Sequence, residues 1–244
     1  MKKQLLIIPV AASLMLCSGC SLLGEQFRSL ALDYDYSQME FIQLEEPEEG
    51  RMTAVIETSM GNITAVLYPE YAPKTVDNFV NRAKEGYYDN NNFFAIIKDC
   101  YAATGSSAKD GSDGVSNDGN LIELECTPKL WPFKGALCSF SSVMGYGDSR
   151  YFICNTVDFT DENLEQLRSI TKDGKQLFPE ELIAKWQEQG AFPLVSGVVT
   201  VFGQVIDGMD VFDEIMNAET DSETYLPKEE ILVKHVEITE YKHN

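Results

Sequence analysis

Two adjoining runs of sequence decide the fold: Glu57-Thr58-Ser59-Met60-Gly61-Asn62-Ile63 and Leu67-Tyr68-Pro69-Glu70-Tyr71-Ala72-Pro73-Lys74-Thr75-Val76-Asp77-Asn78-Phe79. The chain is rich in Val, Ile and Thr over residues 52–58 and 63–68, with turn-forming residues between, which predicts a β-hairpin. Pro73 suits the first turn of a helix, and apolar residues then recur at helical spacing until Gly86. We therefore expect a hairpin followed by one amphipathic helix.

The rest of the chain contains further short β-prone runs. They are Phe93–Lys98, Ala136–Phe140, Tyr151–Cys154, Val198–Val205 and Ile231–Tyr241. One more helix is expected near Met209–Met216. Many short strands with few helices are typical of an antiparallel barrel, although this pattern alone does not distinguish one barrel from another.

The order of these motifs resembles the cyclophilin family of peptidyl-prolyl cis-trans isomerases. The opening runs are similar to that family's first hairpin and helix, and the likeness extends from about Met52 to Tyr241. Later matching motifs include Gly86-Tyr87-Tyr88-Asp89, Gly135-Ala136-Leu137, Ser149-Arg150-Tyr151-Phe152-Ile153 and Val201-Phe202-Gly203-Gln204-Val205. The resemblance implies a mostly β fold over residues 52–244, with a closed eight-stranded antiparallel barrel capped by two helices and carrying a helical insertion.

The resemblance also implies a reaction, rotation about the peptide bond that precedes proline. Such an enzyme needs an apolar socket for the prolyl ring, and a cation near the prolyl nitrogen that stabilises the transition state more than the ground state. By the family's pattern, Phe152 is the floor of the socket. The other apolar side chains that we assign to it are Val195, Val199, Tyr101 and Phe93.

Several family positions carry different residues in this chain. Ala95 stands where the family has its catalytic arginine, and Ala103 where it has the glutamine that supports that arginine. Cys100 replaces a phenylalanine of the family's socket. Phe140 replaces an alanine that binds the substrate backbone, and Leu194 replaces a tryptophan. Weak activity is therefore expected, and two interpretations remain open: a weak foldase, or a pseudo-isomerase that binds peptides or proteins without turnover.

Arg150 is the one cation that falls beside the predicted socket. It is our candidate surrogate for the missing catalytic arginine. The alternative is a structural arginine that pairs with Asp148 or another acid.

Residues 156–193 form an insertion where the family has only a short connection. Pro179 favours the start of a helix that ends at Gly190, and a shorter helix is expected around Asp161–Ile170. Because both ends of the insertion adjoin the socket, it could cover or widen that site. A surface decoration without a role at the site is the alternative.

The N-terminus predicts export. Lys2 and Lys3 precede an apolar run, residues 5–16, that is too short to span a bilayer but typical of a signal peptide. The following Leu16-Cys17-Ser18-Gly19-Cys20 resembles a lipobox, in which Cys20 would receive the lipid. Residues 1–20 are thus interpreted as signal peptide and lipobox, and residues 21–51 as an acidic tether, part of which could dock on the domain as an edge strand.

This interpretation places the protein at the extracytoplasmic face of the cell membrane, held by its lipid anchor. The expected partners there are proline-containing peptides or exported proteins. A formal net charge of −20 argues against nucleic acid as a partner.

Four cysteines follow the predicted signal peptide and lipobox: Cys100, Cys126, Cys138 and Cys154. They could form disulfide bonds or remain free thiols, and both alternatives stay open. The chain contains two histidines, and we expect neither a metal nor a cofactor.

Overall fold

A computed structural model describes residues 34–172 and 174–243. The predicted signal peptide and Cys20 lie outside these residues. The strands, numbered along the chain, are β1 (Met52–Thr58), β2 (Asn62–Leu67), β3 (Asn91–Asn92), β4 (Ala95–Ile97), β5 (Tyr101–Thr104), β6 (Ile122–Glu123), β7 (Ala136–Ser139), β8 (Tyr146–Gly147), β9 (Tyr151–Cys154), β10 (Thr171–Lys172), β11 (Lys175–Gln176), β12 (Val201–Asp207) and β13 (Leu232–Glu240). The α-helices are α1 (Pro73–Lys84), α2 (Asp161–Ser169), α3 (Glu180–Gln189) and α4 (Met209–Met216).

Nine of these strands form one curled antiparallel sheet. Their order is β3-β13-β1-β2-β12-β7-β9-β5-β4, while β6 pairs with β8 and β10 with β11. The predicted hairpin is present as β1 and β2, with Ile56 opposite Ile63. The fold is mostly β, as predicted.

The sheet is open, and this corrects the expected closed barrel of eight strands. Its edge strands β3 and β4 are not hydrogen-bonded to each other but are consecutive segments joined through Phe93 and Phe94. The Phe93 amide bonds to the Ile231 carbonyl beside β13, whereas the Phe94 amide bonds to the Ala103 carbonyl of β5. The expected strand Phe93–Lys98 is therefore shortened to β4, and the separate strand β3 precedes it, so the sheet has nine strands and an interrupted ladder.

The inside of the curled sheet is the main apolar core. Phe79 of α1 lies at its centre, with ring centroids 5.2 Å from those of Tyr88 and Tyr151 and 5.3 Å from that of Phe202. Phe212 of α4 is buried in the same cluster. Both helices thus bury one apolar side against the sheet, and both lie where the sequence predicted helices.

The insertion has an apolar core of its own. It contains α2, the β10-β11 hairpin and α3, and it buries Leu182, Ile183 and Trp186 of α3 against Trp131 and Phe133. We call this group the insertion cluster. Trp131 and Phe133 precede β7, so the insertion packs directly on the barrel domain and does not extend into solvent.

Residues 34–51, called the strap here, dock on the same cluster. They form two 3-10 turns, Tyr36–Gln38 and Ile42–Leu44, and no edge strand. The buried Gln43 amide donates to the Trp131 carbonyl at 2.9 Å and to Gln204 Oε1 at 2.8 Å, and it accepts from the Trp131 amide at 2.5 Å. The end of the predicted tether is therefore part of the folded domain. Within the described parts of the chain, no helix is long and apolar enough to span a membrane.

Candidate functional site

The predicted catalytic positions lie side by side on one sheet face. Ala95 of β4 is opposite Ala103 of β5, and Ala103 is opposite Phe152 of β9. Side chains alternate along a strand, so these residues point away from the main core, whereas Ile96 and Ile153 point into it. We call this surface the outer face. The family's arginine and glutamine are thus represented by the methyl groups of two alanines, and its socket floor by the aromatic ring of Phe152.

The floor ring is covered. Phe152 is only 3% exposed, and the ring of Tyr101 lies against it with a centroid distance of 4.9 Å and an interplanar angle of 44°. Phe192, at the C-terminal end of the insertion, lies 6.2 Å from the Tyr101 ring. Val195 and Cys100 are buried in the same cluster. The insertion therefore contributes an aromatic ring, that of Phe192, next to Tyr101 of the predicted socket.

Most of the assigned residues come together on this face. Leu194 and Val195 lie in a 3-10 turn, Pro193–Val195, that follows the insertion. Leu194, Val199 and Phe140 are partly buried against the outer-face cluster.

Phe93 is the exception, because it is buried in the main core and not on the outer face. The break between β3 and β4 explains this placement. Phe94 and Ala95 both belong to the outer-face cluster, so side chains do not alternate regularly between the two faces at this point.

Arg150 is held in a buried ion pair. Its side chain is 3% exposed and that of Asp148 is 2% exposed. Its Nε donates to Asp148 Oδ1 at 3.0 Å, and its two terminal nitrogens donate to Asp148 Oδ2 at 2.5 Å and to the Gly111 carbonyl at 2.6 Å. The guanidinium carbon also lies 5.2 Å from the centre of the Phe140 ring. Arg150 therefore has the structural pairing with Asp148 that was the alternative to a catalytic role.

The thiols near this face are suited to packing. Cys126, Cys138 and Cys154 are free cysteines. Burial raises the pKa of Cys126 to about 11, and its Sγ lies 3.2 Å from the Val199 carbonyl oxygen. Burial also raises the pKa of Cys138 well above its ordinary value. Both thiols therefore stay protonated near neutral pH, and neither is a ready nucleophile.

No metal site is found among residues 34–172 and 174–243, where no three His, Cys, Asp or Glu side chains are grouped to hold an ion.

Sequence reasoning missed two features of the site. It did not assign Phe192 to the socket, although Phe192 stands two residues before the assigned Leu194. It also did not place the Arg150 side chain against the Gly111 loop, and no motif in the sequence signals that contact.

Comparisons with known proteins agree with the residue pattern. The family model described as cyclophilin type peptidyl-prolyl cis-trans isomerase/CLD matches residues 53–241. A relative from Staphylococcus aureus (strain USA300), named "Putative peptidyl-prolyl cis-trans isomerase", is 31% identical over 195 residues, which cover 80% of this chain and 95% of the relative. A relative of the same name from Staphylococcus epidermidis is 29% identical over 195 residues, with the same coverage.

Solved structures show the same fold. A crystal structure of a Cryptosporidium parvum cyclophilin type peptidyl-prolyl cis-trans isomerase has a TM-score of 0.61 and 22% identity, and covers 79% of this chain and 99% of that one. A second structure of that protein, determined in the presence of the dipeptide Ala-Pro, has a TM-score of 0.59 and 23% identity, and covers 77% of this chain and 98% of that one.

Proposed function

The chain belongs to the cyclophilin-type peptidyl-prolyl cis-trans isomerase family, and from this premise we propose that it is an exported, membrane-anchored member with weak isomerase activity that assists the folding of exported proteins. Its substrates on this proposal are proline-containing segments of those proteins. The proposal adds three points to family membership: the location, the partners and the low rate.

The row Ala95, Ala103 and Phe152 carries the proposal of weak activity. Rotation about the prolyl bond has a barrier of about 18–20 kcal/mol, and a positioned cation lowers it by drawing the nitrogen lone pair out of amide resonance. Losing one preorganised donor of this kind typically costs about 2.7–4 kcal/mol, or about 10²–10³ in rate. Arg150 does not replace that donor, since Asp148 and the Gly111 carbonyl already bind its guanidinium.

A second candidate function is binding without turnover. The observation that favours it is the apolar outer face, which keeps Phe152, Val195 and Val199 while two alanines replace the polar groups of the family's site. Such a face could recognise a prolyl side chain without accelerating its rotation, provided that the side chain can reach it.

Support for export comes from the sequence alone. Lys2 and Lys3, the apolar run and the lipobox-like residues before Cys20 favour a lipid-anchored product. The acidic composition suits an exported soluble domain. Prolyl partners are supported by family membership and by the related structure determined with Ala-Pro, which concerns that protein.

A proline-isomerisation assay on the detergent-solubilised full-length protein tests the proposal. We expect a rate close to that of buffer alone for a short peptide with one Ala-Pro bond. A rate at the level of active family members would contradict weak activity. A peptide titration run in parallel separates the two candidates, because saturable binding without acceleration indicates the binding module.

A further inference from the structure

The outer face is closed where a prolyl-binding protein needs it open. Ala95, Ala103, Tyr101 and Phe152 are all nearly or fully buried, although they are the family's positions for the groups that contact substrate. The question is therefore which side chain occupies the place of the prolyl ring.

Tyr101 has the geometry for that role. It stands where the family has a methionine, and its ring lies 4.9 Å from Phe152, inside the range for direct aromatic packing. The ring centroids of Phe192 and Tyr101 lie 6.2 Å apart, with the ring planes at 34°. The three rings thus form a continuous series from the socket floor to the end of the insertion.

The end of the insertion is fixed in place by the backbone. The Phe192 amide donates to the Pro132 carbonyl at 2.8 Å, and the Val157 amide donates to the Ala191 carbonyl at 2.9 Å. The strap adds a further tie, since Gln43 bonds both backbone groups of Trp131, next to Pro132. Phe192 is therefore held over Tyr101 by both ends of the insertion and by the segment before β7.

We propose that Tyr101 occupies the place of the prolyl ring in the socket of this protein, so that prolyl ligands bind only weakly, and that Phe192 holds the Tyr101 ring in that position. Tyr101 is then the residue that determines whether the protein accepts prolyl ligands. The inference rests on the proposed function, because it takes prolyl segments as the ligand class. It adds that ligand binding, and not only turnover, is restricted by the chain's own side chains.

The test compares Tyr101→Met with Phe178→Met in the full-length protein. Both variants replace a buried ring by the same flexible side chain, but Phe178 packs on Trp186 in the insertion cluster, 5.0 Å between centroids, away from the outer face. The probe is a short peptide with a central Ala-Pro bond, and the matched probe has Ala-Ala instead. Binding is measured by calorimetric titration after each variant has shown a cooperative thermal unfolding transition.

We expect Tyr101→Met to bind the Ala-Pro peptide at least about tenfold more tightly than the wild-type protein or Phe178→Met, a difference of about 1.4 kcal/mol. Methionine can leave the socket by rotamer changes that the tyrosine ring, packed between two others, does not have. No variant should gain affinity for the Ala-Ala peptide. Wild-type binding as tight as that of Tyr101→Met, or a folded Tyr101→Met that binds no more tightly, overturns the proposal.

Phe192→Leu decides the matter if Tyr101→Met does not fold. It leaves Tyr101 in place but removes the ring that holds it, so we expect a smaller gain for the Ala-Pro peptide; a folded variant without any gain overturns the proposal. These readouts are affinities, whereas weak activity is judged by a rate. If the wild-type protein binds the Ala-Pro peptide tightly but isomerises it at the background rate, the proposal about Tyr101 is refuted and the proposed weak activity is not. An isomerisation rate at the level of active family members would refute the weak activity.

Discussion

Ala95 is the residue on which the proposal of weak activity depends most. A charged donor is needed next to the socket, but Ala95 and its neighbour Ala103 are both buried and have no polar side chain. An arginine introduced at position 95 would therefore enter a packed, apolar face without the glutamine that orients it in the family. Its charge would be poorly solvated and poorly positioned.

We therefore predict that Ala95→Arg raises the isomerisation rate by less than about tenfold, since misplaced groups recover little transition-state stabilisation. Adding Ala103→Gln should raise the rate further. Ala95→Met is the matched control, because it adds a long side chain without charge and should not accelerate the reaction. The isomerisation assay measures all three, and full family-level activity from Ala95→Arg alone would show that the supporting position is unimportant.

The burial of Arg150 favours one of its two predicted roles. The motif placed it beside the socket, which made it a candidate surrogate cation, but only the structure shows both members of the Arg150–Asp148 pair almost fully buried. Removing one partner of such a pair leaves an uncompensated charge in an apolar environment. Arg150 is therefore expected to stabilise the fold more than to assist a reaction.

The corresponding prediction is that Arg150→Met lowers the free energy of unfolding by about 3–5 kcal/mol, because Asp148 remains buried without its partner. The control is Lys109→Met, which breaks an ion pair with Glu230 whose side chains are 77% and 54% exposed, and which should cost at most about 1 kcal/mol. Urea unfolding monitored by fluorescence gives both values. Equal costs for the two variants would contradict the structural role of Arg150.

At the scale of elements, the strap is the feature that sequence patterns described least well. Its charged, Pro- and Gly-containing C-terminal end, residues 45–50, predicted a tether, and its apolar residues predicted at most an edge strand. In the structure Tyr36 and Phe41 pack against the insertion cluster. These contacts join residues about a hundred positions apart, and neither periodicity nor turn chemistry encodes such distant pairs.

Gln43 provides the test of this docking. Gln43→Ala should lower the free energy of unfolding by about 1–3 kcal/mol, because it leaves the Trp131 amide and carbonyl without their partner in a buried site. Gln38→Ala is the control, since Gln38 is exposed and, among the described residues, its side chain makes one long hydrogen bond, to Ser37 at 3.4 Å. Faster hydrogen exchange at the Trp131 amide in Gln43→Ala alone would confirm the local cause. Exchange and stability that match the control would exclude a stabilising strap.

At the scale of the whole molecule, the sequence predicted the family and the mostly β fold because ordered motifs such as Val201-Phe202-Gly203-Gln204 occupy fixed places in one topology. It also identified Ala95, Ala103 and Phe152, which the strand register then placed in one row. The break at Phe93-Phe94 and the ring of Phe192 over Tyr101 could not be predicted. Both depend on how distant segments pack, and a motif specifies positions along the chain, not the exposure of the side chains there.

The position of the molecule in the cell is the remaining prediction, and it depends on Cys20. Two acyl chains attached there would hold the protein at the membrane, since each buried methylene contributes about 0.8 kcal/mol. Cys20→Ala should therefore move the protein from the detergent phase to the aqueous phase in a temperature-induced phase separation. Cys17→Ala is the matched control, because it changes the neighbouring cysteine but keeps Ser18-Gly19-Cys20 intact, and it should stay in the detergent phase. If Cys20→Ala still enters the detergent phase, the anchor is not a lipid on Cys20, and the proposed location loses its main support.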